Sequence, residues 1–218
     1  MKGIIIDGVA AAGKSITLQH LQTRIIREKE GSTKLFISEH YTQRVFEDKI
    51  DSGQLDAVTL AKHIDGVILG LGEYQEMLAQ SKFALKPSRA EVYVTIERFL
   101  LTYFATLPAL LEKYPLAKAR HQFEQLASYG ITHYLIALSG KKIRENVATT
   151  LTHRNARWAA HIESKGGLQK VTEENIVWQE KLLGFAKLFE RCMRIEIIEL
   201  KDQSYEEMAN RIYEKEYQ

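Results

Sequence analysis

The first residues with recognisable chemistry lie between positions 8 and 15, which read Gly-Val-Ala-Ala-Ala-Gly-Lys-Ser. This segment fits the phosphate-loop pattern of glycine, four residues, glycine, lysine and serine or threonine. In such a loop the backbone N–H groups surround phosphate oxygens, and the helix that follows adds the positive end of its dipole. Lys14 is expected to reach the outer phosphates, and the Ser15 hydroxyl is expected to bind Mg²⁺. The residues expected to hold the phosphates are Gly8, Ala10, Ala11, Ala12, Gly13, Lys14, Ser15 and Ile16.

Charged residues also follow two of the predicted strands. Glu39 comes after the second strand, and Glu97 with Arg98 ends the third. Ligands of open α/β sheets gather beyond the carboxyl ends of the strands, so these side chains are expected beside the phosphate loop. There, Glu97 is a candidate Mg²⁺ ligand, directly or through water, and Glu39 is a candidate base for an attacking hydroxyl. Arg98 would stabilise charge near the transferred group.

Short apolar runs predict the strands that position these residues, and each run is nearly continuous rather than alternating. Such runs are typical of strands buried on both faces of a parallel sheet. The runs span residues 3–7, 34–38, 91–96, 133–138 and 194–200. Helical spacing predicts helices over residues 14–30, 55–84, 99–113, 117–129, 141–164, 172–192 and 205–217. This alternation predicts a three-layer α/β fold with a five-stranded parallel sheet.

The connections between the predicted strands differ in length. Residues 40–90, between the second and third strands, have room for a helical hairpin over the sheet edge, and such insertions commonly shape substrate pockets. Lys165-Gly166-Gly167 breaks the helical stretch before the fifth strand. Ser204, with Glu207 three residues on, is expected to cap the last helix. Since no repeat or linker divides the chain, residues 1–218 are expected to form one domain.

The composition argues against several classes of protein. Lysine and arginine total 30 against 28 acidic residues, a net charge of +2, whereas nucleic-acid and membrane-surface binders carry a plain basic excess. No nucleic-acid or membrane partner is therefore expected. Cys192 is the one cysteine, which excludes an intrachain disulfide and favours a cytoplasmic protein. No uncharged apolar run approaches the length of about 18 residues that a membrane span needs.

In order and spacing, these motifs resemble the phosphate-loop kinases of nucleosides and nucleotides, especially deoxynucleoside and thymidylate kinases. In those families a Glu-Arg or Asp-Arg pair ends the third strand, as Glu97-Arg98 does here. The families also carry an arginine-bearing lid after the fourth strand, which corresponds to about residues 141–170. The resemblance implies that Arg154 and Arg157 close over the donor phosphates. Because deoxynucleoside kinases are often dimers, a homodimer is compatible with the amphipathic segments 99–111 and 119–126.

The chain departs from those families at positions that bear on the acceptor. Thymidylate kinases tend to have an arginine before the acid that follows the second strand, whereas Ser38 precedes Glu39 here. A free hydroxyl needs a base and a phosphate acceptor needs cations, so Glu39 favours a hydroxyl, although Arg44 could supply a cation. The candidate substrate-binding residues are Glu39, Tyr41, Arg44 and Arg98, with Phe46, His63, Tyr74 and Gln75 as further candidates in the insertion. Ala11 stands where both families usually have glycine.

The leading hypothesis is an ATP- and Mg²⁺-dependent kinase that phosphorylates a small-molecule acceptor, which the resemblance to these families implies is a nucleoside or nucleotide. An alternative keeps the same machinery and changes the acceptor to an antibiotic or a sugar, because a fold and a donor site do not fix the acceptor. A third reading is a regulatory nucleotide-binding protein that hydrolyses slowly. The absence of an Asp-x-x-Gly motif after the second or third strand argues against this third reading.

Overall fold

A five-stranded parallel sheet forms the centre of the molecule, with the strand order β2-β3-β1-β4-β5. The structure is a computed structural model and describes residues 1–107, 112–153, 156–201 and 203–218. The strands are β1 (Lys2–Gly8), β2 (Thr33–Ile37), β3 (Val92–Glu97), β4 (Ile131–Ala137) and β5 (Ile195–Glu199). Each lies within two residues of its predicted bounds, so the predicted sheet is confirmed.

Helices connect the strands in the predicted alternation. The helices are α1 (Lys14–Glu28), α2 (Glu39–Thr42), α3 (Glu47–Asp51), α4 (Ala57–Gln80), α5 (Pro87–Ala90), α6 (Leu100–Thr106), α7 (Leu116–Ser128), α8 (Gly140–His153), α9 (Ala156–Ser164), α10 (Gly167–Phe189) and α11 (Tyr205–Tyr217). Short 3₁₀ turns cover Arg44–Phe46 and Lys82–Leu85. The three-layer α/β fold is confirmed, since α1 and α11 pack together on the sheet while α6, α7 and α10 pack against β1 and β4.

Burial follows the position of each strand in the sheet. The three central strands β1, β3 and β4 are buried almost throughout, as continuous apolar runs predict. The edge strands β2 and β5 are partly exposed, which corrects the expectation that all five are covered on both faces. In register, Ile6 of β1 lies opposite Glu97 of β3, so the phosphate loop and the Glu97-Arg98 pair leave the sheet side by side.

The insertion between β2 and β3 is built around one long helix rather than a helical hairpin. Short helices α2 and α3 precede α4, and α5 follows it. Asp56 caps α4 by accepting a hydrogen bond from the Thr59 N–H, and Asp65 on the same helix holds Lys118 and Gln122 of α7. The long helix is therefore anchored beside the sheet, which leaves the segment around Glu39 facing the carboxyl ends of the strands.

The region after β4 divides into three helices. The predicted helix over 141–164 is observed as α8 and α9, and the Lys165-Gly166-Gly167 break is confirmed, because Gly166 adopts φ +94° just before α10. Ser204 and Glu207 form the predicted capping box on α11. Across the described residues, no helix is long and apolar enough to cross a membrane.

The segments on which the homodimer prediction rests face the interior. Leu100–Thr106 is shorter than the predicted helix over 99–113, and residues 108–111 lie outside the described residues. Leu100, Leu101 and Phe104 are buried in the hydrophobic core, as are Phe123 and Leu126 of α7. These apolar side chains pack in the core of the chain itself, and the homodimer stays a prediction.

Candidate active site

The phosphate loop joins the buried end of β1 to the start of α1, as its pattern requires. Gly8 has φ +153° and Gly13 has φ +82°. A Cβ atom on Gly13 would lie 2.0 Å from the ring of Tyr205, so no larger residue fits beneath that ring. Ala11 also adopts a left-handed backbone, with φ +61°. The loop therefore has a left-handed conformation at residue 11, and the Cβ atom of alanine makes that conformation strained.

Three side chains outside the loop hold its backbone in place. Asn175 of α10 accepts a hydrogen bond from the Ala10 N–H at 3.1 Å. Asn146 of α8 donates to the Ala11 carbonyl at 2.9 Å and to the hydroxyl of Tyr205 at 3.2 Å. The support comes from three helices that are distant in sequence, which is why the motif alone did not reveal it.

Lys14 is almost fully buried at the start of α1. Its Nζ atom donates to the Val9 carbonyl at 2.8 Å, which places the ammonium inside the curve of the loop. Burial, and then the nearby guanidinium of Arg98, lower the pKa of Lys14 to about 7, while Glu39, Glu97 and Asp7 act against this shift. A phosphate at this position would favour the charged form. The Lys14 ammonium is therefore placed to bind an anion such as a phosphate.

Ser15 and Glu97 meet across the sheet edge. The Ser15 hydroxyl donates to Glu97 Oε1 at 2.6 Å, and Glu97 is 8% exposed. A hydroxyl and a carboxylate side by side fit Mg²⁺, which prefers oxygen ligands and is usually held by one or two protein groups with phosphates and waters. The described residues contain no cluster of three or more metal-binding side chains. The pair is thus a suitable place for a nucleotide-bound Mg²⁺.

Glu39 lies between two arginines. Its Oε2 atom is 2.8 Å from Arg98 Nε, an ion pair without hydrogen-bond geometry, since that Nε atom has no hydrogen-bond partner. Its Oε1 atom accepts a hydrogen bond from Arg44 Nε at 2.7 Å and is 2.6 Å from Arg44 Nη2. Burial would raise the pKa of Glu39, but Arg98 and Arg44 hold it below its usual range. Glu39 is therefore ionised at neutral pH.

Arg98 is fixed by its backbone and by an aromatic ring. It adopts φ +51° directly after β3, and its N–H donates to the Ile6 carbonyl at 3.0 Å. Its guanidinium carbon lies 5.0 Å from the centre of the Trp178 ring, within cation–π range. Strained backbone at two residues of one site, Ala11 and Arg98, is characteristic of functional positions.

An aromatic cluster lies beside Glu39 on the insertion side. The His63 ring is 4.9 Å from Phe46 and 5.4 Å from Tyr41, measured between centroids, and Tyr103 lies 6.5 Å from His63. The buried His63 Nε2 and Tyr103 hydroxyl have no hydrogen-bond partner. Burial lowers the pKa of His63 and raises that of Tyr103. The sequence suggested Tyr41, Phe46 and His63 but not Tyr103, whose place in α6 reads as core.

A cavity of about 500 Å³ lies between the phosphate loop and the charged residues that follow β2 and β3. Lys14, Ser15, Glu39, Arg44 and Arg98 line one side of it. The other side is lined by Asn146, Thr149, Thr150, His153, Trp158 and Tyr205, with Ile16 at the rim. The phosphate loop and the charged residues after β2 and β3 therefore share one space, as the sequence predicted. Of the candidates in the insertion, Arg44 lines it, whereas Tyr41, Phe46, His63, Tyr74 and Gln75 do not.

The predicted lid arginines stay predictions. Arg154 lies outside the described residues, as does the side chain of Arg157, whose backbone belongs to α9. Around them, Trp158 donates to the Thr150 hydroxyl at 2.8 Å and stacks on His161 with ring centroids 5.3 Å apart. Helix α9 is thereby attached to α8, whose Asn146 reaches the phosphate loop.

Comparisons with known proteins give a distant structural likeness. No protein-family model and no curated protein sequence matches the chain. Among solved structures, a shikimate kinase from Acinetobacter baumannii in complex with shikimate aligns with a TM-score of 0.46 and 12% sequence identity, over 99% of this chain and 92% of that chain. A likeness this distant carries no argument about the reaction, which is derived below from the site itself.

Proposed function

We propose that this protein is an ATP- and Mg²⁺-dependent kinase that transfers the γ-phosphoryl group to a small-molecule acceptor, a nucleoside or nucleotide. One observation carries the proposal. The phosphate loop with Ser15 and the Glu39–Arg98–Arg44 cluster line a single cavity, and Ser15 is hydrogen-bonded to Glu97. Binding of a nucleotide requires only the first of these groups. A carboxylate and two guanidiniums facing the donor phosphates are what transfer to a second molecule requires.

Each residue then has a definite task in the transfer. The loop amides and Lys14 bind the donor phosphates, and Arg98 stabilises charge on the group being transferred. The acceptor oxygen bonds to the γ-phosphorus while the bond from that phosphorus to the bridging oxygen of ADP breaks. The hydroxyl proton passes to the Glu39 carboxylate, which is ionised and ready to accept it. Ser15 and Glu97 would hold Mg²⁺, which would neutralise charge on the phosphates.

The charged residues on the acceptor side of the cavity bear on the kind of acceptor. Tyr41, Phe46 and His63 pack against one another in the same insertion but do not line the cavity. Arg44 is bound to Glu39 and its side chain is 45% exposed, so it is also available to a phosphate or another anion on the acceptor. This cation supports an acceptor that carries an anionic group, such as a nucleotide, over an uncharged sugar. Arg154 and Arg157 would close over the donor phosphates as part of the same proposal.

The proposal is tested by ADP release from Mg·ATP in the presence of single candidate acceptors. The panel contains nucleosides, deoxynucleosides, nucleoside monophosphates, sugars and hydroxylated antibiotics, and Lys14→Ala is the blank. Stimulation by a nucleoside or nucleotide is the expected result. Stimulation by a sugar or an antibiotic instead would keep the kinase and change its acceptor class. ATP binding with no stimulation by any compound would favour a regulatory nucleotide-binding protein.

A further inference from the structure

Helix α10 contacts the donor loop through a buried amide that the mechanism above does not use. Asn175 is 5% exposed, and its Oδ1 atom accepts from the Ala10 N–H at 3.1 Å. It lies 165 positions away from Ala10 in the sequence. A buried side-chain amide without a partner is costly, so its hydrogen bonds restrict how the side chain can be oriented.

The second half of the same amide fixes that orientation. The Asn175 Nδ2 atom donates to the Val171 carbonyl at 2.8 Å, within the same helix. Because the NH₂ group is engaged there, only the oxygen can face Ala10, and only an N–H can satisfy that oxygen. The Ala10 N–H is therefore directed at α10 and away from the nucleotide. The amides that can face a phosphate begin after Ala10.

Helix α10 also supports the residue opposite the loop. Trp178 follows Asn175 by three positions, which places both on one side of the helix, and its ring lies under the Arg98 guanidinium. One rigid element therefore reaches both the donor loop and the arginine proposed to face the transferred phosphoryl group. Helix α10 begins at Gly167 and is preceded by Gly166, and these glycines have φ +86° and +94°. They separate α10 from α9, which ends at Ser164.

We propose that Asn175 is a positioning residue of the donor site, which holds the phosphate loop in its phosphate-binding conformation from outside the cavity. The inference rests on the proposed function only in assuming that the loop binds a nucleotide. Without the amide oxygen, the Ala10 N–H loses its hydrogen-bond partner, and the peptides of the loop are freer to rotate. Phosphate binding must then order the loop, and the free energy that this costs lowers the affinity for the phosphate.

The test compares the binding of Mg·ADP and of inorganic tripolyphosphate to Asn175→Leu and to the unaltered protein by calorimetry. Leucine has a similar volume but no acceptor. The expected result is weaker binding of both ligands by about 10-fold, with the same ratio for each because the loss is confined to the phosphates. Should Asn175→Leu fail to fold, Asn175→Ala, which adds no atoms, gives the same comparison.

Gln179→Ala is the matched control on the same helix. Gln179 is also partly buried and makes two hydrogen bonds, both to the backbone of Leu138, away from the proposed donor loop contacts. This variant is expected to lower the unfolding midpoint and leave both affinities unchanged. Equal binding by Asn175→Leu and the unaltered protein, or an equal loss in Gln179→Ala, would overturn the inference. Failure of the unaltered protein to bind either ligand would instead contradict the proposed function.

Discussion

Two residues of the candidate site, Ala11 and Arg98, adopt left-handed backbone conformations that side chains with a Cβ atom disfavour. For Ala11 the strain has a direct test. Ala11→Gly is expected to leave the free energy of unfolding unchanged or raise it by up to about 1 kcal/mol, since relieved strain offsets the entropy that glycine adds to the unfolded chain. Urea denaturation measures this difference.

The neighbouring Ala12 provides the control for that substitution. Ala12 is fully buried and does not have a positive φ. Ala12→Gly is therefore expected to lower the free energy of unfolding by about 1 kcal/mol. A loss in Ala11→Gly as large as that in Ala12→Gly would show that residue 11 does not adopt the left-handed conformation in solution.

Lys14 leads to a prediction about protons. In the free protein burial lowers its pKa to about 7, so at pH 8 most molecules carry a neutral amine. Phosphate binding favours the ammonium, and therefore Mg·ADP binding at pH 8 is expected to take up a proton. Its affinity should fall as the pH rises above 7. Calorimetry in buffers of different ionisation enthalpy measures the uptake.

Lys14→Arg distinguishes proton uptake by Lys14 from proton uptake by other groups, because arginine stays charged at pH 8. The variant is expected to show no uptake at that pH, whatever its affinity. If the unaltered protein takes up no proton at pH 8, or Lys14→Arg takes up the same amount, the lowered pKa of Lys14 is wrong.

Glu39 is the residue whose removal should affect the reaction most selectively. Glu39→Gln keeps the shape and loses the base, so kcat with an active acceptor is expected to fall by about 10²-fold or more while ATP binding is retained. Steady-state kinetics and ADP calorimetry give the two quantities. A variant with unchanged kcat would remove Glu39 from the proton transfer.

At the scale of elements, the sequence predicted the strands and the phosphate loop, because local patterns of residues encode both. Continuous apolar runs located every strand, and the glycine and lysine spacing located the loop, because both signals lie within a few neighbouring residues. The register of β1 and β3 then brought Glu97 beside Ser15, as the order of the motifs implied.

The supports of the site were not predictable in the same way. Asn146, Asn175 and Tyr205 hold the loop from three separate helices, and no spacing in the chain relates them to it. Trp178 reads as a packing residue in the sequence, and its contact with Arg98 appears only once α10 lies against the sheet. Long-range contacts of this kind depend on tertiary packing, which a single sequence does not display.

Helix α10 carries a prediction of its own. Trp178→Leu removes the ring beneath Arg98 and is expected to lower kcat by several-fold, since a cation–π contact contributes about 1 kcal/mol, while the affinity for Mg·ADP stays the same. Kinetics with an active acceptor, together with calorimetry, check the split. A loss confined to ADP affinity would mean that Trp178 supports the donor loop and not Arg98.

At the scale of the whole molecule, stability depends on a buried carboxylate under the site. Asp7 is fully buried, accepts a hydrogen bond from Thr102, and lies 2.8 Å from His133 Nε2 of β4. Burial would raise the pKa of Asp7, but these partners hold it below its usual range. Asp7 therefore stabilises the fold above its unfolded pKa of about 3.9, and this contribution is lost as the pH falls through the lower folded value.

Urea unfolding between pH 5 and pH 2 measures that loss. The midpoint of the unaltered protein is expected to fall over this range, and Asp7→Asn, although less stable at pH 7, is expected to show a shallower fall. Asp48→Asn is the control, because Asp48 is an exposed residue of α3. Parallel curves for Asp7→Asn and the unaltered protein would exclude Asp7 as the source of the acid dependence.

The central claim concerns the destination of the γ-phosphoryl group, and labelled ATP follows it directly. The protein is incubated with Mg²⁺, ATP labelled at the γ-phosphate and a mixture of nucleosides and nucleotides, with Lys14→Ala as the blank. We expect the label to appear in a phosphorylated nucleoside or nucleotide. Label found only in inorganic phosphate, at the same rate with and without the mixture, would contradict the kinase assignment.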